Sequence, residues 1–553
     1  MKIFRISCCV FVGFLSLLLS VSAQTFTTLH AFNQTDGSEP EAGLVQATDG
    51  NLYGTTYRGG AGSFGFSGTV FNITLGGTLS TLYNFCNLSQ CGDGANPYAG
   101  VVQGTDGNFY GTTSEGGTSY GVVFKVTPGG TFTTLHSFAD TDGANPQAGL
   151  VLGSDGNFYG TTPFSQASSA CPLGCGTVFK VTPGGTLTTL HSFAGTDGSG
   201  PLARMIQGTD GNFYGTTYGG GVSHNGTVFK ITPGGVLTTL HSFAGTDGAN
   251  PYAGLVQATN GSFYGTTLAG GIGNGTLFKI TPGGTLTTLY IFCSQGSGCP
   301  DGENPRGDLI QATDGNLYGT TTGAGGSSNG GTAFKITLGG TLTTLYTFCS
   351  QGGTKCTDGL SPVAGLVQAS NGTFYGTTNA GGSGLGTVFS LSVGLGPFVE
   401  TQPTSGRVGK TIEILGQGFT GTTSVLFNGT AATFHVLSDN YLTATVPVGA
   451  KTGFVTLVTP GGTPKSNKTF RVTPQITSFN PPGGPVGTPV TITGVSLTQA
   501  TRVSFGGVKA TTFTVNSDTQ VTATVPTGAV TGKITIATAG GTATSAASFT
   551  VTP

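Results

Sequence analysis

A six-residue motif recurs along most of the chain, as NLYGTT, NFYGTT, SFYGTT and TFYGTT. Successive copies of its tyrosine lie 49 to 57 residues apart, at Tyr53, Tyr110, Tyr159, Tyr214, Tyr264, Tyr318 and Tyr375. A period of this size is typical of a solenoid, a propeller or another repeat array. The sequence therefore predicts an array of seven similar structural units.

Each unit contains four short segments with the composition of β-strands, which we name A to D. Their sequences are close to GLVQAT, FYGTT, GTVFKIT and TLTTLHSF, and Gly-containing turns separate them. Asp-Gly or Asn-Gly between A and B favours a tight hairpin. Four-stranded antiparallel units repeated around an axis are propeller blades. A β-solenoid is the alternative, although its coils are usually shorter than this period.

The two ends of the array predict a closed ring. TFTTLHAF, from Thr25, is a D strand without its A, B and C, whereas GTVFSLS, from Gly386, is a C strand without its D. Pairing them completes a seventh unit and leaves no sheet edge at the junction. We therefore predict an all-β fold in which residues 24–393 form a seven-bladed β-propeller closed by its N-terminal strand.

The first 23 residues have the features of a secretory signal peptide. Lys2 and Arg5 precede the apolar run CCVFVGFLSLLLSV, and small residues end at Ala23. The run is short for a membrane span, and no second apolar stretch of spanning length follows. We expect an extracytoplasmic protein, secreted or at the cell surface, without a transmembrane segment after signal cleavage.

The cysteines that follow the signal form four local couples. Of the 10 cysteines, Cys8 and Cys9 lie in the signal, and the others pair by proximity as Cys86 with Cys91, Cys171 with Cys175, Cys293 with Cys299, and Cys349 with Cys356. Their even number and short spacing favour loop disulfides in an oxidising compartment. Zinc is the alternative, but no couple has the Cys-x-x-Cys spacing and histidine is scarce nearby.

The turns and loops of an antiparallel unit separate into two faces. The A-to-B and C-to-D turns share one face, which we name the uniform face because its turns repeat as TDGN or TNGS and as TPGG or TLGG. The B-to-C and D-to-A loops share the other face, which we name the variable face. These loops carry the length variation and all four cysteine couples. Binding surfaces are usually built from such loops on a rigid scaffold, so we expect a ligand there.

Residues that break the repeat are the preferred ligand-binding candidates. Arg204 replaces a recurrent glycine in PLARMIQ, and Arg306 and Asp308 alter the same segment in NPRGDLIQ. An arginine there could hold a carboxylate or a sugar acid with its fork of N–H donors. The alternative is sequence drift within a tolerant repeat.

An aspartate recurs in every D-to-A loop, at Asp36, Asp93, Asp142, Asp197, Asp247, Asp301 and Asp358. A ring of these carboxylates could bind Ca²⁺ or sugar hydroxyls. Capping of its own turn by each aspartate is the alternative, and recurrence in every unit favours it because functional sites normally break symmetry. We expect no other metal and no cofactor. Histidine and tyrosine interchange at one D-strand position, which indicates a packing or hydrogen-bonding role, and no catalytic constellation stands out.

Beyond Val393 the period disappears and two copies of another unit follow. Corresponding residues lie 79 apart, as Pro447 and Pro526 do, and alternating short strands suit a β-sandwich. The copies, residues 398–474 and 475–553, resemble IPT/TIG domains through VSFGGVKATTFTVNSDTQVTATVPTGAVTGKITI. The resemblance implies two immunoglobulin-like domains that act as spacers or interaction modules.

The seven-unit array resembles the GloVer tandem-repeat family of exported bacterial proteins through DGNFYGTT, GTVFKITPGG and TLTTLHSF. This resemblance implies that the protein is exported, and it implies no particular biochemical activity. A net charge of -2 gives no electrostatic reason to expect nucleic acid as a partner. We predict a noncatalytic binding or scaffold protein, with the propeller as recognition head for a glycan, surface polymer or surface protein and the IPT/TIG domains as stalk. A carbohydrate-active hydrolase or lyase using Arg204, Arg306 and Asp308 is the alternative.

Peptide mapping without reduction tests the cysteine pairing. We expect mass spectrometry to find each couple linked, because residues so close in sequence meet at low entropic cost. Reduction should loosen the loops more than it unfolds the chain, since each bridge closes a small loop. Free thiols at these positions would contradict both the pairing and the oxidising compartment.

Overall fold

The computed structural model describes residues 24–62, 67–165, 171, 174–271, 273–326, 329–438 and 441–553. The strands of these residues form twelve open sheets, and the same residues contain no α-helix. The all-β prediction is therefore confirmed. Single 3-10 turns lie in two of the loops, at Ser89–Cys91 and Gly353–Lys355.

The repeated part of the chain contributes strands of two to seven residues. In chain order they are β1 (Thr25–Ala31), β2 (Val45–Gln46), β3 (Leu52–Thr56), β4 (Thr69–Ile73), β5 (Leu79–Asn84), β6 (Val102–Gln103), β7 (Phe109–Thr113), β8 (Val122–Val126), β9 (Phe132–Ser137), β10 (Val151–Leu152), β11 (Phe158–Thr162), β12 (Thr177–Val181), β13 (Leu187–Ser192), β14 (Ile206–Gln207), β15 (Phe213–Thr217), β16 (Thr227–Ile231), β17 (Leu237–Ser242), β18 (Val256–Gln257), β19 (Phe263–Thr267), β20 (Thr276–Ile280), β21 (Leu286–Ile291), β22 (Ile310–Gln311), β23 (Leu317–Thr321), β24 (Thr332–Ile336), β25 (Leu342–Thr347), β26 (Val367–Gln368), β27 (Phe374–Thr378) and β28 (Thr387–Ser392).

These strands form seven four-stranded antiparallel sheets. Sheets 1 to 6 each take four consecutive strands, from β2–β5 to β22–β25, in the order A, B, C and D. Sheet 7 combines β26, β27 and β28 with the N-terminal strand β1. The pairing runs from Thr25 opposite Ser392 to Ala31 opposite Thr387, so the first and last strands of the array lie side by side.

The tyrosine of the repeated motif links each sheet to the next. Tyr53 of sheet 1 is almost completely buried, and its ring stacks on Phe109 of sheet 2 with centroids 4.0 Å apart. Its hydroxyl donates to Asp49 in its own A-to-B turn, at 2.7 Å. The same stacking recurs in the pairs Tyr110–Phe158, Tyr159–Phe213, Tyr214–Phe263 and Tyr318–Phe374. Tyr264 and Tyr375 instead share clusters with Leu317 and Leu52 of the following sheet.

The glycine of the motif makes room for the phenylalanine of strand C. A Cβ on Gly111 would lie 2.6 Å from Cζ of Phe124. Phe124 meets Phe85, which ends strand D of sheet 1, edge to face at 5.1 Å. Sheet 7 makes the same contact with sheet 1, through Phe32 and Phe71 at 5.4 Å. The remaining sheets make it through Phe138–Phe179, Phe193–Phe229, Phe243–Phe278, Phe292–Phe334 and Phe348–Phe389.

The first threonine of the motif adds a hydrogen bond between sheets. Thr55 donates to the carbonyl of Ala99 in sheet 2 at 2.9 Å, and Thr377 of sheet 7 donates to Ala42 of sheet 1 at 3.0 Å. This bond is missing between sheets 5 and 6: the hydroxyl of Thr266 is buried and has no partner among the described residues. The glutamine of strand A provides a second link between most neighbouring sheets. The aromatic and polar contacts that join neighbouring sheets therefore also join sheet 7 to sheet 1.

The C-terminal strands form two further groups of sheets. In chain order they are β29 (Glu400–Gln402), β30 (Ser405–Gly406), β31 (Thr411–Leu415), β32 (Ser424–Phe427), β33 (Thr430–Ala431), β34 (Phe434–Ser438), β35 (Tyr441–Thr445), β36 (Val455–Val458), β37 (Arg471–Val472), β38 (Gln475–Asn480), β39 (Gly483–Gly484), β40 (Pro489–Val495), β41 (Ala500–Phe505), β42 (Val508–Lys509), β43 (Phe513–Ser517), β44 (Gln520–Thr524), β45 (Gly532–Thr538) and β46 (Gly541–Val551). Each group has its own buried core, one around Phe427 and Phe470 and the other around Phe505 and Phe549.

The first C-terminal group contacts the uniform face of the repeated sheets. The amide of Phe398 donates to the carbonyl of Ser370 in the A-to-B turn of sheet 7, at 2.9 Å. Arg471 donates through Nη1 to the carbonyl of Thr209 in the A-to-B turn of sheet 4, at 2.8 Å. The second group is joined to the first by Gln499, whose Oε1 accepts from the amide of Thr452 at 2.8 Å. The uniform face is therefore occupied, at sheets 4 and 7, by the chain itself.

A pair of matched substitutions tests whether the two ends of the array are joined as firmly as neighbouring sheets. Phe32 and Phe138 are both fully buried, and each contacts the histidine two residues before it and a strand-C phenylalanine of the next sheet. We expect Phe32→Ala and Phe138→Ala each to lower the free energy of unfolding by about 3–5 kcal/mol, as for other buried phenylalanines. Urea unfolding would measure both, and a much smaller loss for Phe32→Ala would contradict the junction.

Candidate ligand-binding site

One repeat position on the variable face carries most of the chemical variation between sheets. It follows the proline of the D-to-A loop and precedes strand A, and its residues are Glu41, Tyr98, Gln147, Leu202, Tyr252, Arg306 and Val363. The proline is buried against a glycine of the preceding sheet, since a Cβ on Gly68 would lie 2.6 Å from Cδ of Pro97. The residue after each proline is therefore held at a fixed place shortly before strand A.

Several of these side chains meet although they come from distant sheets. The hydroxyls of Tyr98 and Tyr252, from sheets 2 and 5, are 2.6 Å apart. The guanidinium carbon of Arg306 lies 4.3 Å from the ring centroid of Tyr252. Glu41 interacts electrostatically with Tyr98 and accepts from Nδ2 of Asn379 at 2.6 Å. We name Glu41, Tyr98, Tyr252 and Arg306 the central cluster.

Further tyrosines extend this cluster towards solvent. The ring of Tyr57 meets Tyr98 edge to face at 5.7 Å, and Tyr218 meets Tyr252 at 6.3 Å. Tyr218 is 36% exposed. Beside it lies an open pocket of about 480 Å³, which falls in the size range of small-molecule sites. Its walls come from the loops of sheets 4, 5 and 6: Leu202, Tyr218, Tyr252, Leu268, Asn304, Arg306 and Thr322.

Of the three sequence-predicted candidates, Arg306 lines this pocket, whereas Arg204 and Asp308 pair with each other. Nε of Arg204 lies 3.9 Å from Oδ2 of Asp308, whose other oxygen accepts from the amide of Gly254 at 2.7 Å. Arg306 belongs to the central cluster and interacts electrostatically with Glu41. The Nε of Arg306 is buried without an acceptor among the described residues. Arg204 and Asp308 therefore form one ion pair, and Arg306 lies in a separate, largely aromatic environment.

Burial sets the protonation behaviour of the cluster. It raises the pKa of the Glu41 carboxyl above the ordinary value of 4.5, and Arg306 offsets only part of this effect. Burial, followed by the nearby Glu41 carboxylate, raises the pKa of the Tyr98 phenol well above its usual range. Tyr98 therefore remains a neutral hydroxyl at physiological pH and can donate a hydrogen bond.

The seven loop aspartates lie in separate loops, each of which follows a strand D. Four of them contact a histidine, in the pairs His30–Asp36, His136–Asp142, His191–Asp197 and His241–Asp247, at 2.8–3.0 Å. The other three accept from a tyrosine hydroxyl, in the pairs Tyr83–Asp93, Tyr290–Asp301 and Tyr346–Asp358, at 2.7–2.8 Å. Within the described part of the chain, the one group of three residues placed to bind a metal ion is Cys293, Cys299 and Glu303, and both cysteines are disulfide-bonded. The histidine and tyrosine position thus has a hydrogen-bonding role.

All four cysteine couples are disulfide-bonded, as the spacing predicts. Three of the bridges close the longer D-to-A loops, and the bridge between Cys171 and Cys175 lies in the B-to-C loop of sheet 3. Disulfides are typical of proteins outside the reducing cytosol, so they favour an extracytoplasmic location. None of the helical segments that the structure describes has the length and apolarity of a membrane span.

Residues 17–171 and 164–389 match the family described as the Gloeobacter/Verrucomicrobia repeat, and residues 398–472 and 474–551 each match the IPT/TIG domain. The chain belongs to the Gloeobacter/Verrucomicrobia repeat family. Both resemblances seen in the sequence are therefore confirmed, and this member of the repeat family continues into two IPT/TIG domains. No curated protein matches the chain.

Solved structures with some likeness to this member of the repeat family include surface proteins and an enzyme. The surface glycan-binding protein PbSGBP-B from Prevotella bryantii is 22% identical over 28% of this chain and 38% of its own, with a TM-score of 0.21. SGBP-B from a xyloglucan utilization locus in Bacteroides uniformis is 22% identical over 27% and 46%, with a TM-score of 0.14. A fungal alcohol oxidase of the AA5 family, in complex with copper, is 15% identical over 82% and 100%, with a TM-score of 0.44. The chain spans less than half the length of the two bacterial proteins.

The central residues Tyr98, Tyr252 and Glu41 were not predicted from the sequence. Each occupies a position where the repeat varies freely, so each taken alone resembles ordinary drift. The sequence pattern that could have identified them is the variation at this one repeat position. The residue after the loop proline varies, while its neighbours are Pro, Ala and Gly in most units.

Glu41 provides a pH-dependent test of the cluster. Because its pKa is higher in the folded chain than in the unfolded chain, its ionisation destabilises the fold as pH rises from 4.5 upward through the folded pKa. We expect Glu41→Gln to remove this loss. The unfolding free energy of the variant, relative to that of the wild type, should therefore be higher at about pH 7 than at about pH 4. Urea unfolding at both pH values would measure the difference.

Glu115→Gln is the matched control, because Glu115 lies exposed on the same face. Its unfolding free energy should follow the wild type across this pH range. A Glu41→Gln profile parallel to the wild type would contradict the buried, ionisable role of Glu41.

Proposed function

We propose that this protein is a noncatalytic binding protein outside the cytoplasm that recognises a glycan or a related surface polymer. In this proposal residues 24–393 form a closed seven-bladed β-propeller that acts as recognition head. Residues 398–474 and 475–553, the two IPT/TIG domains, form the stalk. The ligand binds the variable face, at and around the central cluster, next to Arg204, Arg306 and Asp308.

The contacts between sheets support the closed propeller. Phe32 of sheet 7 meets Phe71 of sheet 1 in the geometry that every other pair of consecutive sheets uses. The amide of Ser370 in sheet 7 donates to Gln46 of sheet 1 at 2.8 Å, as the amide of Thr48 in sheet 1 does to Gln103 of sheet 2 at 3.1 Å. A chain of seven sheets whose last contacts its first in this way closes into a ring, which leaves only short sheet edges.

The observation that carries the functional proposal is the convergence of one variable repeat position. If this position served stability alone, we would expect the same small residue there in every sheet, as at the Ala-Gly positions that follow it in most units. Instead the position supplies two tyrosines, an arginine and a glutamate to one cluster beside an open pocket. Ligand sites combine apolar and aromatic walls with a few polar groups in this way.

The first IPT/TIG domain supports the choice of face. It contacts A-to-B turns of sheets 4 and 7 on the uniform face, so that face is partly covered by the chain itself. The variable face carries the pocket and, in this proposal, points away from the stalk. The predicted signal peptide, which lies outside the residues that the structure describes, and the four disulfides fit recognition outside the cytoplasm.

Binding to an immobilised glycan array, followed by calorimetry on the ligands found, tests this function with the chain from residue 24 onward. We expect Tyr252→Ala to weaken binding by about tenfold or more, because the variant removes a half-buried aromatic surface from the site. Val236→Thr is the control. It lies 68% exposed in a C-to-D turn of the uniform face, where most units have threonine, and it should leave affinity unchanged.

Two results would contradict the proposal. One is the absence of binding to any glycan or surface polymer. The other is release of shorter sugars from a bound polymer by the wild-type chain, which would favour the hydrolase or lyase.

A further inference from the structure

We propose that the pocket between the loops of sheets 4, 5 and 6 binds an uncharged sugar ring, with Tyr218 and Tyr252 as its stacking surfaces. This inference rests on the proposed glycan recognition and narrows it to one class of ligand. Three features of the pocket carry it: the shape and chemistry of its walls, an unused side-chain amide, and the carboxyl groups that oppose the charges of Arg204 and Arg306.

The walls suit a molecule with an apolar face and a polar rim. Leu202 and Leu268 contribute apolar surface, and the two tyrosines present aromatic rings roughly perpendicular to each other. A pyranose ring exposes C–H groups on its faces and hydroxyls on its edge, and tyrosine combines an apolar body with a polar tip in the same way. Arg306 lies over the Tyr252 ring, and Tyr218 beside it is 36% exposed, so in this proposal a ligand stacks on Tyr218 and contacts the part of Tyr252 that lines the pocket.

The side-chain amide of Asn304 offers hydrogen-bonding groups that the protein does not use. The equivalent asparagines of three other loops donate through Nδ2 to a carbonyl of the preceding B-to-C loop, in the pairs Asn96–Tyr57, Asn145–Ser114 and Asn250–Tyr218. Asn304 lines the pocket, and among the described residues its side-chain amide has no hydrogen-bond partner. An amide carries two donors and an acceptor, and it therefore matches hydroxyls, which both donate and accept.

The charges around the pocket favour an uncharged ligand over a sugar acid. Arg204 is paired with Asp308, and Arg58 lies 3.5 Å from Glu39. Arg306 has the Tyr252 ring against it and interacts with Glu41. The Glu41 carboxyl interacts electrostatically with Arg306 and opposes its charge, and an anionic group beside Arg204 would have to displace Asp308. The sequence-based expectation of a carboxylate held by these arginines is therefore replaced, in this proposal, by recognition of neutral hydroxyls.

Calorimetry with soluble oligosaccharides separates the two ligand classes. The uncharged probes are hexasaccharides of cellulose, xylan and mannan, and the acidic probes are hexasaccharides of galacturonate and mannuronate. We expect an uncharged probe to bind with an affinity that changes by less than about twofold when NaCl is raised to about 0.5 M, because no ion pair is screened. Tyr218→Ala should weaken this binding by about tenfold, and its thermal midpoint should stay close to the wild type because the residue is exposed.

Val222→Ala is the matched control, since Val222 is 88% exposed in the same B-to-C loop as Tyr218 and is not part of the pocket walls. The affinity of this variant for the uncharged probe should stay within about twofold of the wild type, because the exposed side chain contributes little. Binding of an acidic probe alone, weakened by salt and by Arg204→Ala, would overturn the uncharged class and leave glycan recognition in place. Unchanged affinity in Tyr218→Ala would overturn the pocket. Failure of every glycan, including those of the array, would instead remove the proposed function.

Discussion

The structure depends on aromatic contacts that cross from each repeated sheet to the next. The tyrosine of one NFYGTT copy stacks on the phenylalanine of the following copy, and the phenylalanines that end strands D meet those of strands C. Aromatic pairs bury a large area and prefer these offset and edge-to-face geometries. These contacts constrain the last five positions of the motif. The aromatic residues form the contacts, the glycine leaves room for the strand-C ring, and the threonines add hydrogen bonds. The repeat is uniform where the sheets touch.

Uniform contacts between sheets leave the loops free to differ. The D-to-A loops come in two forms, which differ in what binds the loop aspartate. Short loops place the carboxylate beside a histidine, whereas the longer, disulfide-bridged loops bury it against a tyrosine hydroxyl, as in Asp93, Asp301 and Asp358. In both forms the aspartate orders its own loop by accepting backbone N–H groups, as with Asn33 and Asp36. The start of strand A is consequently fixed, whatever the length of the loop before it.

Much of the fold could be predicted from the sequence, because the repeat displays it seven times. The strands, the disulfides and the pairing of β1 with β28 follow from local composition and from the order of strands at the two ends. The site could be predicted only in part. Arg204 and Asp308 stood out as charges at glycine positions, but their ion pair joins sheets 4 and 6. The contact between Tyr98 and Tyr252 joins residues 154 apart and depends on the arrangement of all the sheets between them. No local pattern reveals that Arg204 pairs with Asp308 or that Arg306 lies against the Tyr252 ring, and these contacts change the expected ligand.

Hydrogen–deuterium exchange would test most directly whether the variable face is the recognition surface. The measurement compares the chain alone with the chain saturated by a glycan that it binds. We predict protection in the segments that carry the central cluster and its pocket, 96–98, 250–254 and 304–308. Exchange in the C-to-D turns of the uniform face, such as residues 182–185, should stay unchanged. Protection confined to those turns, with none around Tyr252 and Arg306, would contradict the account.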